Sequence, residues 1–151
     1  MTDEATLRWS TPPAAIAALV VAGAVLGGTA VFGVHDPAGR VLVGFAAVLV
    51  LATVALALRQ RPRLEILPDD TGVAAMRLTG RREFPRAALK RVRIVEYPRF
   101  GRRVPMLEID AIGPDGTESL LIFGRWDLGT DPRTVHEALA VRGLAPDHTP
   151  S

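Results

Sequence analysis

Residues 41–58 read VLVGFAAVLVLATVALAL, eighteen consecutive positions without a charge, and this run decides the architecture. A helix over it extends about 27 Å at ~1.5 Å per residue, close to the thickness of a bilayer's hydrocarbon core. Eleven of its residues are Val, Leu or Phe, and each of these favours insertion by about 0.3 to 0.6 kcal/mol. Working outward toward the N-terminus, residues 14–34 read AAIAALVVAGAVLGGTAVFGV, 21 uncharged positions that extend about 31 Å by the same arithmetic. Two spans are therefore expected. A cleaved signal peptide fits poorly, because Met1 to Ser10 sets Asp3 and Glu4 against Arg8 and a second span follows at once. The six residues between the spans, His35-Asp36-Pro37-Ala38-Gly39-Arg40, carry Pro and Gly as helix breakers and imply a tight antiparallel hairpin. Both ends of the hairpin then face one side. Arg59, Arg61 and Arg63 follow the second span, whereas the connecting loop holds only Arg40 beside Asp36, so the positive bias places both termini in the cytoplasm. Gly23 and Gly27 form a small-xxx-small pair that lets another helix backbone approach closely; the readings are packing on the Gly44 and Ala47 side of the second helix or a chance pair in an Ala-rich and Gly-rich span.

Past Arg59 the composition changes, and charges recur every few residues. Short alternating runs separated by turn residues imply strands at Leu64 to Leu67, Val73 to Leu78, Arg81 to Phe84, Leu89 to Tyr97, Met106 to Ile112 and Glu118 to Phe123. Gly113-Pro114-Asp115-Gly116 is the clearest hairpin signal among them. The ending differs in kind. Asp131 can cap a helix with Pro132 at its first position, Val135, Ala138 and Leu139 recur at helical spacing, and Gly143 ends it. Trp126, beside Phe123 and Leu128, is expected to plug this helix onto the strands. The tail from Ala145 to Ser151 is expected to be disordered.

The 151-residue chain has no Cys, which excludes disulfides, thiolate metal sites and a Cys nucleophile. His35, His136 and His148 fall in a connecting loop, a helix and a tail, with no pair at metal-ligand spacing. No Ser or Thr has the context of an acyl-transfer elbow, and Asp110, Asp115 and Glu118 surround a hairpin where carboxylates serve the turn. The reading is non-enzymatic, with no cofactor and no metal.

Charge is the most informative functional feature. Residues 77–103 hold ten Arg and Lys against two Glu, a net of +8, whereas residues 104–151 carry a net of −5. Arg91 and Arg93 share a strand face, and Arg99, Arg102 and Arg103 cluster in the link from Pro98 to Pro105. These five residues are the candidate anionic-surface site. Basic residues also protect strand edges. Tethered to a bilayer, however, a basic surface meets the anionic inner leaflet, where each Lys or Arg is worth ~1 kcal/mol. Nucleic acid is not expected as a partner, since no nucleic-acid motif accompanies the charge.

Three stretches carry a resemblance to a family: Arg61-Pro62-Arg63-Leu64-Glu65-Ile66, Gly80-Arg81-Arg82-Glu83-Phe84-Pro85, and Phe123-Gly124-Arg125-Trp126-Asp127-Leu128-Gly129. With the membrane hairpin and the closing helix, the chain resembles the bacterial pleckstrin-homology (PH) domain membrane proteins of actinobacteria, the group that includes the low-molecular-weight protein antigen 6 family. The resemblance implies an α+β chain: a two-helix transmembrane hairpin, then a PH-like antiparallel β-barrel, partly open and capped by one C-terminal helix. It also implies binding rather than chemistry. The inositol-phosphate site of eukaryotic relatives is not carried over, because its basic first hairpin loop is here the acidic Pro68-Asp69-Asp70-Thr71-Gly72. The implied divisions are a cytoplasmic segment 1–13, the hairpin 14–58 with spans 14–34 and 41–58, a domain at 61–144 able to fold alone, and the tail 145–151. The expected function is a membrane-anchored binding module engaging envelope proteins or anionic inner-leaflet lipid; the alternative is a structural subunit whose hairpin docks into a larger membrane complex.

Overall fold

A computed structural model describes residues 7–146 of the chain. Its described part separates into two compact units, residues 11–61 and residues 7–10 together with 62–146.

The first unit is the helical hairpin. Helix α1 spans Pro13–Gly28 and continues as a π-helical turn over Thr29–Gly33; α2 spans Pro37–Arg59. Both are long and apolar enough to cross a membrane, and only 17% of each apolar window is buried inside the molecule, unlike the core helix of a soluble protein. Pro37 and Gly39 were expected to break helix in the connection. Instead they form the first turn of α2: Pro37 needs no N–H donor at that position, and the Asp36 carboxylate caps the turn by accepting from Gly39 N at 2.6 Å. The connection is accordingly shorter than the sequence implies.

The second unit is a sandwich of two antiparallel sheets. The first has the order β1-β2-β3-β4, with β1 Arg8–Trp9, β2 Leu64–Ile66, β3 Gly72–Arg77 and β4 Gly80–Pro85. The second has the order β5-β6-β7, with β5 Leu89–Arg99, β6 Arg102–Ile112 and β7 Glu118–Phe123. The sheets do not close into a barrel. Leu64, Ile66, Val73, Ala75 and Phe84 face Leu89, Val92, Leu107, Ile109, Leu121 and Phe123 across the core. Register follows from this alternation, since a one-residue slip would turn each of these side chains to solvent. Gly72 is fixed by contact: a Cβ there would lie 2.2 Å from the Phe84 carbonyl oxygen across the β3–β4 pair.

A short helix α3, Arg125–Leu128, precedes the closing helix α4, Pro132–Val141. Asp131 caps α4 by accepting from Arg133 N at 2.9 Å, and Gly143, with φ +70°, ends it as expected. Val135, Leu139 and Leu144 are fully buried where α4 crosses β5 and β6.

Three further findings depart from the sequence expectations. Trp126 is 47% exposed, and the plug is Leu128, at 2%. In the single turn of α3 these residues lie two apart and cannot share a face. The stretch from Pro98 to Pro105 is no loose link but the end of a hairpin in which β5 and β6 pair through Arg99 and Arg102. Its prolines are tolerated because Pro98 lies on an edge strand and Pro105 lies past the end of β7, which stops opposite Leu107. Finally, β1 was not expected at all. Trp9 pairs with Leu64 and Arg8 with Glu65, while Leu7 and Trp9 pack on the core. Of the expected disordered tail, Ala145 packs against the core, and residues 147–151 lie outside the described part, as do residues 1–6 of the N-terminal segment.

Candidate functional site: the β5–β6 ribbon

Side chains on β5 and β6 alternate between the core and an outer face. Val92 and Ile94 point inward opposite Ile109 and Leu107; Arg91, Arg93, Tyr97 and Arg99 occupy the outer face, with Arg102 directly across from Arg99. Four of the five candidate arginines therefore share a face, and Arg103, opposite Pro98, lies on the other.

Their electrostatic surroundings divide them further. Arg93 Nε donates to Glu108 Oε2 at 2.9 Å, so its charge is answered within the fold, whereas Arg91 lies in register with Asp110 and makes no ion pair among the described residues. Glu108 is itself buried although it lies on the outer face, because Arg93 and the Tyr97 hydroxyl, which donates to its Oε1, close over it. Burial pushes the Glu108 carboxyl up, but the hydrogen bonds from Tyr97 and Arg93 and the nearby arginine charges outweigh it and hold the group below the usual carboxylate range. The same hydrogen bond raises the Tyr97 hydroxyl. A depressed carboxylate contributes stability that is present above its unfolded value, about 4.3, and is lost as pH falls through the folded value. Glu108→Gln should therefore lose less stability than the parent chain between neutral and acid pH, as read from urea-unfolding midpoints at each.

Arg99, Arg102 and Arg103 are exposed and make no ion pair among the described residues. Beyond the Leu107 to Phe123 pair only β5 and β6 continue, a two-stranded ribbon that overhangs the sheet by about 17 Å at ordinary strand rise. Its turn is Phe100-Gly101, with φ +50° and +75°, the double left-handed geometry of a type I′ turn. The sequence reading missed this turn. The usable signal was the Gly at its second position between Arg-flanked alternating residues, masked by the two prolines.

The remaining candidates lie elsewhere. A Cβ on Gly23 would lie 2.6 Å from Leu51 Cδ2, so α1 and α2 approach closely there, whereas nothing lies within 4 Å of Gly27. Gly44 faces Ala30, and Ala47 is buried. His136 contacts the Val92 carbonyl at 3.3 Å, His35 stands in the connection between α1 and α2, and His148 lies outside the described residues. Lys90 and Glu118, bonded at 2.7 Å, border an open hollow with Arg91 and Asp110 that no metal-ligand cluster accompanies among the described residues.

The description of a family named bacterial PH domain matches residues 61–145. That stretch begins after α2 and so omits β1. The chain is also similar to two uncharacterized proteins of Mycobacterium tuberculosis, one from strain H37Rv and one from strain CDC 1551. Each is 38% identical over 137 residues, which is 91% of this chain and 93% of the relative. No solved structure matches the chain.

Proposed function

Because the chain belongs to the bacterial PH domain family, we propose that it is a non-enzymatic, membrane-anchored binding module whose PH-like domain engages anionic lipid of the cytoplasmic leaflet through the end of the β5–β6 ribbon. The observation that carries this reading is the position of Arg99, Arg102 and Arg103: three arginines without carboxylate partners among the described residues, at the free end of a ribbon the core does not need. Arg93 contributes less, since Glu108 already pairs with it, and Arg91 lies eight residues back along β5 from the ribbon's last pair.

Orientation is part of the proposal. The strand before the first helix pairs with the strand after the second, which supports placing both ends of the hairpin on one side of the membrane. The excess of Arg59, Arg61 and Arg63 over Arg40 favours the cytoplasm for that side. The links from β1 to α1 and from α2 to β2 are three and four residues long.

The test uses the full chain in nanodiscs. Amide exchange of residues 95–104 should slow when phosphatidylglycerol is added to phosphatidylcholine, and should recover at 1 M salt, where the Debye length is about 3 Å. Equal exchange in neutral and anionic discs at low salt would reject lipid as the ligand. The alternative, a subunit of a larger membrane complex, draws on the open surface at Gly27 and Gly28, which would admit another helix backbone. Crosslinking in native membranes that captures a stoichiometric membrane partner would favour it.

A further inference from the structure

Phe100 is fully exposed, at 105% of its reference area, and holds φ +50°. Both features are unfavourable in water. A left-handed backbone is an outlier for a bulky residue, and the first position of a type I′ turn prefers Asn, Asp or Gly. The fold gains nothing in return, because the Phe100 ring lies outside the hydrophobic core. A large aromatic side chain kept at such a position points to an environment outside the molecule that receives it.

Ion pairs indicate where the ribbon projects. Arg63, at the start of β2 where the chain arrives from α2, pairs with Asp127 at 2.9 Å; six residues on, Arg133 pairs with Glu96 of the ribbon at 2.8 Å. The ribbon thus leaves the domain at the end where the chain continues into its two apolar helices. The antiparallel meander puts the β3–β4 turn at that same end of its sheet, and this turn carries Leu78, 66% exposed. The opposite end, where Arg86 Nη2 donates to the carbonyls of Asp70 and Arg142, carries an acidic turn instead, Asp69-Asp70.

We propose that the tip Arg99-Phe100-Gly101-Arg102-Arg103 is a membrane-insertion element: Phe100 enters the acyl boundary of the anionic bilayer that holds the two helices, while Arg99, Arg102 and Arg103 stay at the level of the lipid phosphates. This rests on the reading of the ribbon as a lipid contact and adds a mode of attachment to it. The occupant is a bilayer rather than a protein groove, because a single ring ringed by three cations matches an apolar interior beneath an anionic surface. Guanidinium groups bind phosphate oxygens in a bidentate fork, and their aliphatic stems extend along the apolar zone. The turn also gives the ring its reach, as no other side chain stands beyond it on the ribbon.

The absence of Cys makes the test direct. Phe100→Cys in the full chain, labelled with an apolar environment-sensitive fluorophore and placed in nanodiscs, should emit at shorter wavelength in phosphatidylcholine with phosphatidylglycerol than in phosphatidylcholine alone. It should also be quenched by lipids that carry a spin label on the acyl chain. Arg99→Gln/Arg102→Gln/Arg103→Gln in the same background should abolish both signals. A label at Glu137→Cys on α4 should report water in every disc. A water-like, unquenched signal at position 100 in anionic discs overturns insertion. If residues 95–104 of the unlabelled chain are still protected there in a salt-dependent way, the basic contact survives alone; if that protection is also absent, both readings fall.

Discussion

Leu128→Ala should destabilise the domain by about 2 to 5 kcal/mol, and Trp126→Ala should change it by about 1 kcal/mol or less. The contrast inverts what residue size suggests. Leu128 is 2% exposed and joins the cluster formed by Val135, Leu139, Phe123 and both sheets, so its truncation leaves a cavity that surrounding side chains cannot fill without breaking strand register. Trp126 keeps 47% of its surface in solvent, and removing it exposes little new apolar area. Urea denaturation of the detergent-solubilised chain, followed by fluorescence with Trp9 as the common reporter, measures both. Equal losses would place the Trp126 ring in the core after all.

The second large effect concerns β1. A fragment of residues 61–146 lacks Leu7, Arg8 and Trp9, and with them three contributions. Trp9 and Leu7 no longer cover the core; the backbone bonds Arg63 N to Trp9 O, 2.9 Å, and Ile66 N to Leu7 O, 3.0 Å, are lost; and Glu65, 6% exposed, loses the Arg8 guanidinium at 2.9 Å, leaving only Arg81 at 3.6 Å. The Arg8 side chain is itself 59% exposed, so the lost ion pair is the smallest of the three, but the three-residue strand β2 also becomes an unprotected edge. A chain in which residues 1–10 are joined to residues 62–151 by a short Gly-Ser turn should restore this, because Trp9 and Leu64 are direct partners and a hairpin turn can close the gap. The joined chain should be monomeric and more stable than the fragment by about 3 kcal/mol or more, on the scale of truncating one large buried side chain. Equal unfolding midpoints would make β1 incidental.

How much of this was legible in the sequence depended on the distance over which each signal acts. The apolar runs, the turn at Gly113 to Gly116 and the helix bounded by Asp131 and Gly143 are local, and the residues that specify them lie within a few positions of one another. Asp115, for example, bonds Thr117 through both its amide and its hydroxyl, and Gly116 takes φ +79°. The strand at Arg8 and Trp9 could not be read this way. Two residues carry no periodicity, and their partners lie 55 and 57 positions away, beyond both apolar helices. Trp126 was misjudged because composition says that a Trp near Phe123 and Leu128 belongs inside, whereas the single turn of α3 allows only one of its two apolar residues to face the core. At the candidate site the arginines were found by charge alone. The division between Arg93, paired with Glu108, and the unpaired Arg99, Arg102 and Arg103 at the ribbon's end needed the register, since Glu108 lies fifteen residues from Arg93 across a hairpin whose turn is hidden in the sequence.

In the proposed orientation the PH-like domain and the strand that completes it lie on the cytoplasmic side of a two-span anchor. The most direct measurement of that orientation is the labelling of single cysteines by a membrane-impermeant maleimide in intact cells. His35→Cys, in the connection between α1 and α2, should react without permeabilisation, and Ala87→Cys, exposed between β4 and β5, should react only after it. Labelling of Ala87→Cys in intact cells, or identical accessibility at the two positions, would contradict the account.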